Sequence, residues 1–124
     1  MKHEALNTME ITRLHVGKRL SEVAIHNATV YLAGQIAEDT GADIAGQMSE
    51  VLGHIERLLG EAGSDKSCML TCQIFLADMA DFAAMNVLWD AWVAPGHTPP
   101  RATVQAALAD PACLVEIVVT AAVR

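Results

Sequence analysis

Two charged side chains near the C-terminus stand where charge is costly. Arg101 follows Pro99-Pro100 and opens an apolar, β-branched stretch, and Glu116 interrupts the apolar run of residues 114–119. A guanidinium is a planar fork that grips a carboxylate through two parallel charge-assisted bonds. A carboxylate beside the bound molecule can position a water and take its proton as it attacks. Together they could bind a small carboxylate and activate water next to it. The competing reading is a structural ion pair between strands, because charges inside an apolar sheet must pair or bind something.

The elements that would position these two residues come from residues 97–124. Prolines cannot donate to a strand ladder, so Pro99 and Pro100 mark where the chain enters the sheet. Strand parity puts Arg101, Thr103 and Gln105 on one face and Val104, Ala106 and Leu108 on the other. Asp110-Pro111 supplies a turn. A hairpin about residues 109–112 would set Glu116 opposite residues 101–105, within the one or two residues of register that a sequence leaves open.

Upstream, residues 1–10 read as a loose leader and residues 11–16 as a short edge strand. Residues 21–25 and 29–32 form a predicted hairpin around His26-Asn27-Ala28, whose Asn favours the turn. The second strand runs into Ala33-Gly34-Gln35, where a glycine lets backbone approach a ligand or simply bends. Ile44, Met48, Val51, Leu52, Ile55, Leu58 and Leu59 recur at helical spacing over residues 42–62, with Gly63 as the stop. Residues 69–76 read as a strand buried on both faces. The strand-helix-strand order then implies a parallel crossover from residues 29–33. A second helix starts at Asp81 as N-cap, with Phe82, Met85, Leu88 or Trp89, Trp92 and Val93 inward, and Pro95-Gly96 ends it. The tryptophans read as core packing, and Asn86 is the odd polar residue near that stripe. The order β-β-α-β-α-β-β gives an α+β domain whose mixed sheet carries two helices on one face. Its other face is read as apolar and needing cover from further copies of the chain.

Composition bounds the partners. A chain of 124 residues is one domain with room for a core. It is 52% hydrophobic, yet no run approaches the roughly 18 apolar residues of a membrane span. The first residues lack a signal-peptide apolar core, which predicts a cytoplasmic protein. A net charge of −7, with eight Lys and Arg and no basic patch, argues against nucleic acid. Cys68, Cys72 and Cys113 are an odd number and read as reduced thiols. Cys68 and Cys72, four apart, would share a strand face, but no second ligand pair follows, so core cysteines are expected rather than a metal site.

Residues 27–35 (NATVYLAGQ), 74–86 (IFLADMADFAAMN), 100–104 (PRATV) and 115–117 (VEI) resemble the RidA (YjgF-like) family, and the resemblance extends from about residue 21 to 124. It implies a chorismate-mutase-like fold, a trimeric barrel-like assembly and clefts between neighbouring subunits. It also implies hydrolysis of reactive enamines and imines, such as 2-aminoacrylate, to 2-keto acids and ammonia. By the resemblance Arg101 is the carboxylate-binding arginine and Glu116 the acidic residue of the cleft. Asn86, the backbone at Ala33-Gly34 and Thr103 are further cleft positions. Three places depart: Ala33 where a small hydroxyl residue is common, Thr103 where the deaminase type often has Cys, and Leu20 roughly where Tyr is usual. A 2-imino acid, carrying a carboxylate beside an electrophilic C=N carbon, suits an arginine and a glutamate without metal or organic cofactor. The second reading, from another class, is a non-catalytic trimer that holds a small carboxylate in a regulatory or chaperone role.

Overall fold

The computed structural model describes residues 10–124, so all but the last residue of the expected leader lies outside the described residues. Six strands and two long helices follow in the order β1 (Thr12–Val16), β2 (Ser21–His26), β3 (Thr29–Leu32), α1 (Ile44–Glu61), β4 (Met69–Leu76), α2 (Phe82–Trp92), β5 (Arg101–Gln105) and β6 (Val115–Ala122). Short 3-10 turns, Lys66–Cys68 and Met79–Asp81, precede β4 and α2. The strands make one sheet in the order β1-β2-β3-β6-β4-β5. Only β4 and β5 pair in parallel. The expected α+β architecture holds, a mixed sheet with two helices.

Local chemistry accounts for most boundaries. Asn27 and Ala28 adopt φ values of 52° and 64°, the left-handed pair that a two-residue hairpin between β2 and β3 requires. Asp43 caps α1 by accepting from Gly46 N at 3.0 Å. Gly63, at φ 81°, turns the chain out of α1 as its position predicts. The Asp81 cap differs from expectation. Asp81 makes no side-chain cap bond, and Asp78 instead accepts from Ala80 N at 2.9 Å, capping the 3-10 turn that leads into α2. Phe82, read as inward, is exposed, whereas Met85 and Trp89 are buried.

One topological expectation changes and one holds. The chain leaves β5 through residues 106–114, turns where Asp110 accepts from Ala112 N at 2.9 Å, and returns on the far side of β4. The predicted β5–β6 hairpin therefore does not form. β4 lies between the two strands and pairs with both, in parallel with β5 and antiparallel with β6. β3 and β4 are parallel, as the crossover implies, because each runs antiparallel to β6, which lies between them. Gln47, buried on α1, secures the returning loop: its amide donates to Ala112 O at 3.1 Å and accepts from Leu114 N at 2.8 Å.

The core occupies the helix side of the sheet alone. Met48, Val51, Ile55 and Leu59 of α1 meet Val30, Ile74, Ile117 and Val119. Each such burial contributes about 1.5–3 kcal/mol, so a one-residue slip of β4 or β6 is heavily disfavoured. A bulge at Leu70 lets both Met69 and Cys72 reach this face while Leu70 stays exposed. β4 is thus buried on one face and not on both. Its other face carries Thr71, Gln73 and Phe75, which continue across the sheet as Thr120, Val118 and Glu116. That open face is mixed, with Tyr31 and Val104 exposed beside threonines and a glutamine, and is less apolar than the sequence reading has it.

Candidate functional site

Register decides where Arg101 and Glu116 stand. Arg101 pairs with Cys72 and Thr103 with Ile74, so both point to the helix side of β5. Glu116 pairs with Phe75, whose other neighbour is Val104, so it points to the open side. The two Cα positions are separated by two strand spacings and three residues along β4, about 14 Å, on opposite faces. The expected juxtaposition within one chain fails, and with it the structural ion pair. Neither residue takes part in any salt bridge among the described residues.

The first cluster lies in the seam between α2 and β5. The Arg101 guanidinium rests over the Trp89 ring, 5.1 Å from its centroid. Asn86 precedes Trp89 by one helical turn on the same face, and Thr103 follows Arg101 by one same-face step along a strand antiparallel to the helix. Arg101 Nη1, Asn86 Oδ1 and Thr103 Oγ1 are buried and have no hydrogen-bond partner among the described residues. Buried polar atoms are partnered in the great majority of cases, and an unpaired one costs about 1–3 kcal/mol. Three in one seam leave hydrogen-bonding capacity open to a water, a ligand or a neighbouring copy. Cys72 lies across from Arg101 on β4, but burial pushes its thiol up to about 12 against the opposing pull of Arg101. It stays a neutral thiol near pH 7 and is no nucleophile.

The second cluster surrounds Gly34. Gln35 N donates to Ile117 O at 2.8 Å and Ile117 N to Gln35 O at 3.1 Å, which clamps the segment after β3 onto β6. Gly34 is thereby laid under the Glu116 carboxylate, and a Cβ there would land on Glu116 Oε2. The glycine serves close approach, not a left-handed turn. Ala33 donates its N–H to Glu22 O at 2.9 Å, while its carbonyl accepts from Gln35 Nε2 at 3.0 Å. Gln35 Nε2 also reaches Glu22 Oε1 at 3.0 Å. A shallow polar pocket of about 160 Å³ opens here between Glu22, Gly34, Gln35, Glu38, His54 and Arg57. The segment beyond it is pinned by Glu50, which accepts from the backbone N–H groups of Glu38 at 2.6 Å and Asp39 at 3.2 Å. Those two bonds, and then His54 at 3.0 Å, hold the Glu50 carboxyl below the ordinary range.

Each of these sequence-predicted positions thus falls in one of two separate clusters. Arg101, Thr103 and Asn86 form one, and Ala33, Gly34 and Glu116 form the other. Leu20 is exposed between β1 and β2. Cys68 sits in a 3-10 turn and Cys72 in the core, so they share no strand face as expected, and all three cysteines are free. Among the described residues, no group of three or more His, Cys, Asp and Glu is placed to hold a metal ion, and no helix is long and apolar enough to cross a membrane. Sequence reasoning missed the pairing of Trp89 with Arg101. The spacing signal existed, since Trp89 lies on the Asn86 face of α2, but an apolar stripe reads first as core.

Residues 10–123 match the family model described as Endoribonuclease L-PSP. The chain is 54% identical over 114 residues to a RutC family protein of Haemophilus influenzae, covering 91% of this chain and 98% of that one. It is 49% identical over 115 residues to the RutC family protein YoaB of Escherichia coli, covering 93% and 100%. Among solved structures, a member of the YjgF protein family from Neisseria meningitidis superposes with a TM-score of 0.92 at 45% identity, covering 94% of this chain and 98% of that one.

Proposed function

The chain belongs to the RutC/YjgF (RidA-like) family, and from that premise we propose that it hydrolyses reactive enamine and imine intermediates, of the 2-aminoacrylate type, to 2-keto acids and ammonia. The observation that carries the reading is the trio of unpartnered buried atoms, Arg101 Nη1, Asn86 Oδ1 and Thr103 Oγ1. A cation, an amide acceptor and a hydroxyl suit a small molecule that brings a carboxylate and an N–H together.

In the proposed reaction the carboxylate of a 2-imino acid docks on the Arg101 fork, which fixes the molecule and draws electron density from the C=N carbon. Glu116 holds a water against that carbon, takes a proton as the C–O bond forms and the C=N π bond opens, and passes that proton to the nitrogen. The carbinolamine then collapses: its hydroxyl proton moves by way of Glu116 to the nitrogen, the C–N bond breaks, ammonia leaves and the 2-keto acid remains. Thr103 has a hydroxyl in place of the usual thiol and donates to the bound carboxylate without acting as a nucleophile.

One chain cannot assemble this site, because Arg101 and Glu116 lie on opposite faces of the sheet. We infer a homotrimer in which the α2–β5 half-site of one copy faces the Gly34–Glu116 half-site of the next. A closed ring of identical head-to-tail contacts makes three such clefts. The endoribonuclease description of the family model finds no support in the charge, since a net −7 repels phosphate. The small-carboxylate binder remains the second reading, favoured by Ala33 and Thr103, which remove a hydroxyl and a thiol common in the deaminase type.

Ammonia release discriminates these readings. An amino-acid oxidase generates 2-imino acids in the presence and absence of the protein, and 2-keto acid binding is measured by calorimetry on the same sample. Ammonia release above the spontaneous rate is the expected result. Binding without acceleration would leave the binder, and neither would remove both readings.

A further inference from the structure

We propose that Trp89 is the positioning residue for Arg101: its indole face holds the guanidinium plane so that the N–H edges stay free for a carboxylate. The inference rests on the proposed role of Arg101, and adds what keeps that residue in place.

A guanidinium in a protein is usually oriented by a carboxylate partner. Arg101 has no such partner among the described residues, and one of its nitrogens is buried and unpartnered. Its guanidinium lies over the Trp89 ring, with the central carbon 5.1 Å from the ring centroid. A π face attracts a cation without occupying its donors or cancelling its charge. A carboxylate in that place would do both and would compete with the ligand. An aromatic platform therefore yields an arginine that is fixed, fully charged and unsatisfied.

The platform is itself braced. Trp92 packs on Trp89 with ring centroids 5.6 Å apart and planes at 51°. The Trp92 indole N–H donates to Glu56 Oε1 of α1 at 2.9 Å, and Lys66 Nζ lies 5.2 Å over the Trp92 ring on its own account. Glu56, Trp92, Trp89 and Arg101 so form a chain of contacts from one helix through the next to the edge strand. Trp89 is buried in the core as well, so truncation would mix packing with positioning.

The test weakens the ring's cation affinity without changing its shape. Mono-, di- and trifluorotryptophan are incorporated at position 89 alone through a reassigned codon, so that Trp92 and its bond to Glu56 stay intact, and the protein with ordinary tryptophan at position 89 is the reference. Pyruvate is titrated into each. Freeing a long side chain that binding must then immobilise weakens affinity by about two- to tenfold. The expected result is a dissociation constant that rises with each added fluorine to a total in that range, at unchanged melting temperature. A flat series, in a protein where Arg101→Ala abolishes pyruvate binding, overturns the role of Trp89 and leaves the proposed site intact. If Arg101→Ala binds pyruvate as the reference does, the site reading falls and the positioning role falls with it.

Discussion

Arg101→Ala is expected to abolish 2-keto acid binding while costing the fold no more than the contact with Trp89, about 0.5–2 kcal/mol. In the proposed site the guanidinium supplies the fork for the ligand carboxylate, and each lost charge-assisted bond costs about 1.5–3 kcal/mol, or roughly ten- to a hundredfold in affinity. Arg101→Lys keeps the charge but exchanges two parallel bonds for at best one flexible contact, so at least a tenfold loss is expected there too. Stability follows separate logic. Removing one partner of a buried ion pair strands the other and costs about 3–5 kcal/mol. Glu116 stands on the opposite face of the sheet from Arg101, so nothing is stranded in either substitution. Melting temperature and pyruvate affinity, measured together on the three proteins, check both halves. Affinity unchanged with stability collapsing would make Arg101 a strut.

Glu116→Gln carries the other large effect. The amide keeps shape and some hydrogen bonding but cannot take a proton from water, so imine hydrolysis is expected to fall by about a hundredfold or more. Binding of a 2-keto acid should survive, because the proposed function assigns the carboxylate contact to Arg101. Folding should survive as well, since Glu116 enters no salt bridge among the described residues. Single-turnover ammonia release with saturating imine separates lost turnover from lost binding. Unchanged turnover would move water activation elsewhere.

The parts of the fold that local chemistry dictates were legible in the sequence. Helical spacing from Ile44 to Leu59, the stop at Gly63 and the alternation around Arg101 reappear in the structure, and the expected turn at His26-Asn27-Ala28 reappears shortened to two residues, with His26 paired in β2. What failed was long-range pairing. Nothing in residues 97–124 says that β4, some thirty residues upstream, inserts between β5 and β6, because strand adjacency is decided by core burial over the whole sheet. A hairpin is the economical reading of two strands around Asp110-Pro111, and it is wrong here. That error governs the site, since Arg101 and Glu116 are near in sequence yet reach opposite faces. Trp89 shows the other limit. One ring can serve the core with one face and a cation with the other, and spacing reports only the first.

The two faces lead to the central claim, that the half-site bearing Arg101 and the half-site bearing Glu116 meet only between copies. Arg101→Ala and Glu116→Gln are each expected to be inactive alone. Co-expressed in equal amounts, they would assemble mixed trimers in which some clefts take an intact Arg101 from one chain and an intact Glu116 from its neighbour. With random assembly about a quarter of the clefts are so composed. The decisive measurement is ammonia release by this mixed protein, which should reach about a quarter of the unsubstituted rate. Mixed trimers no more active than either parent would contradict the claim.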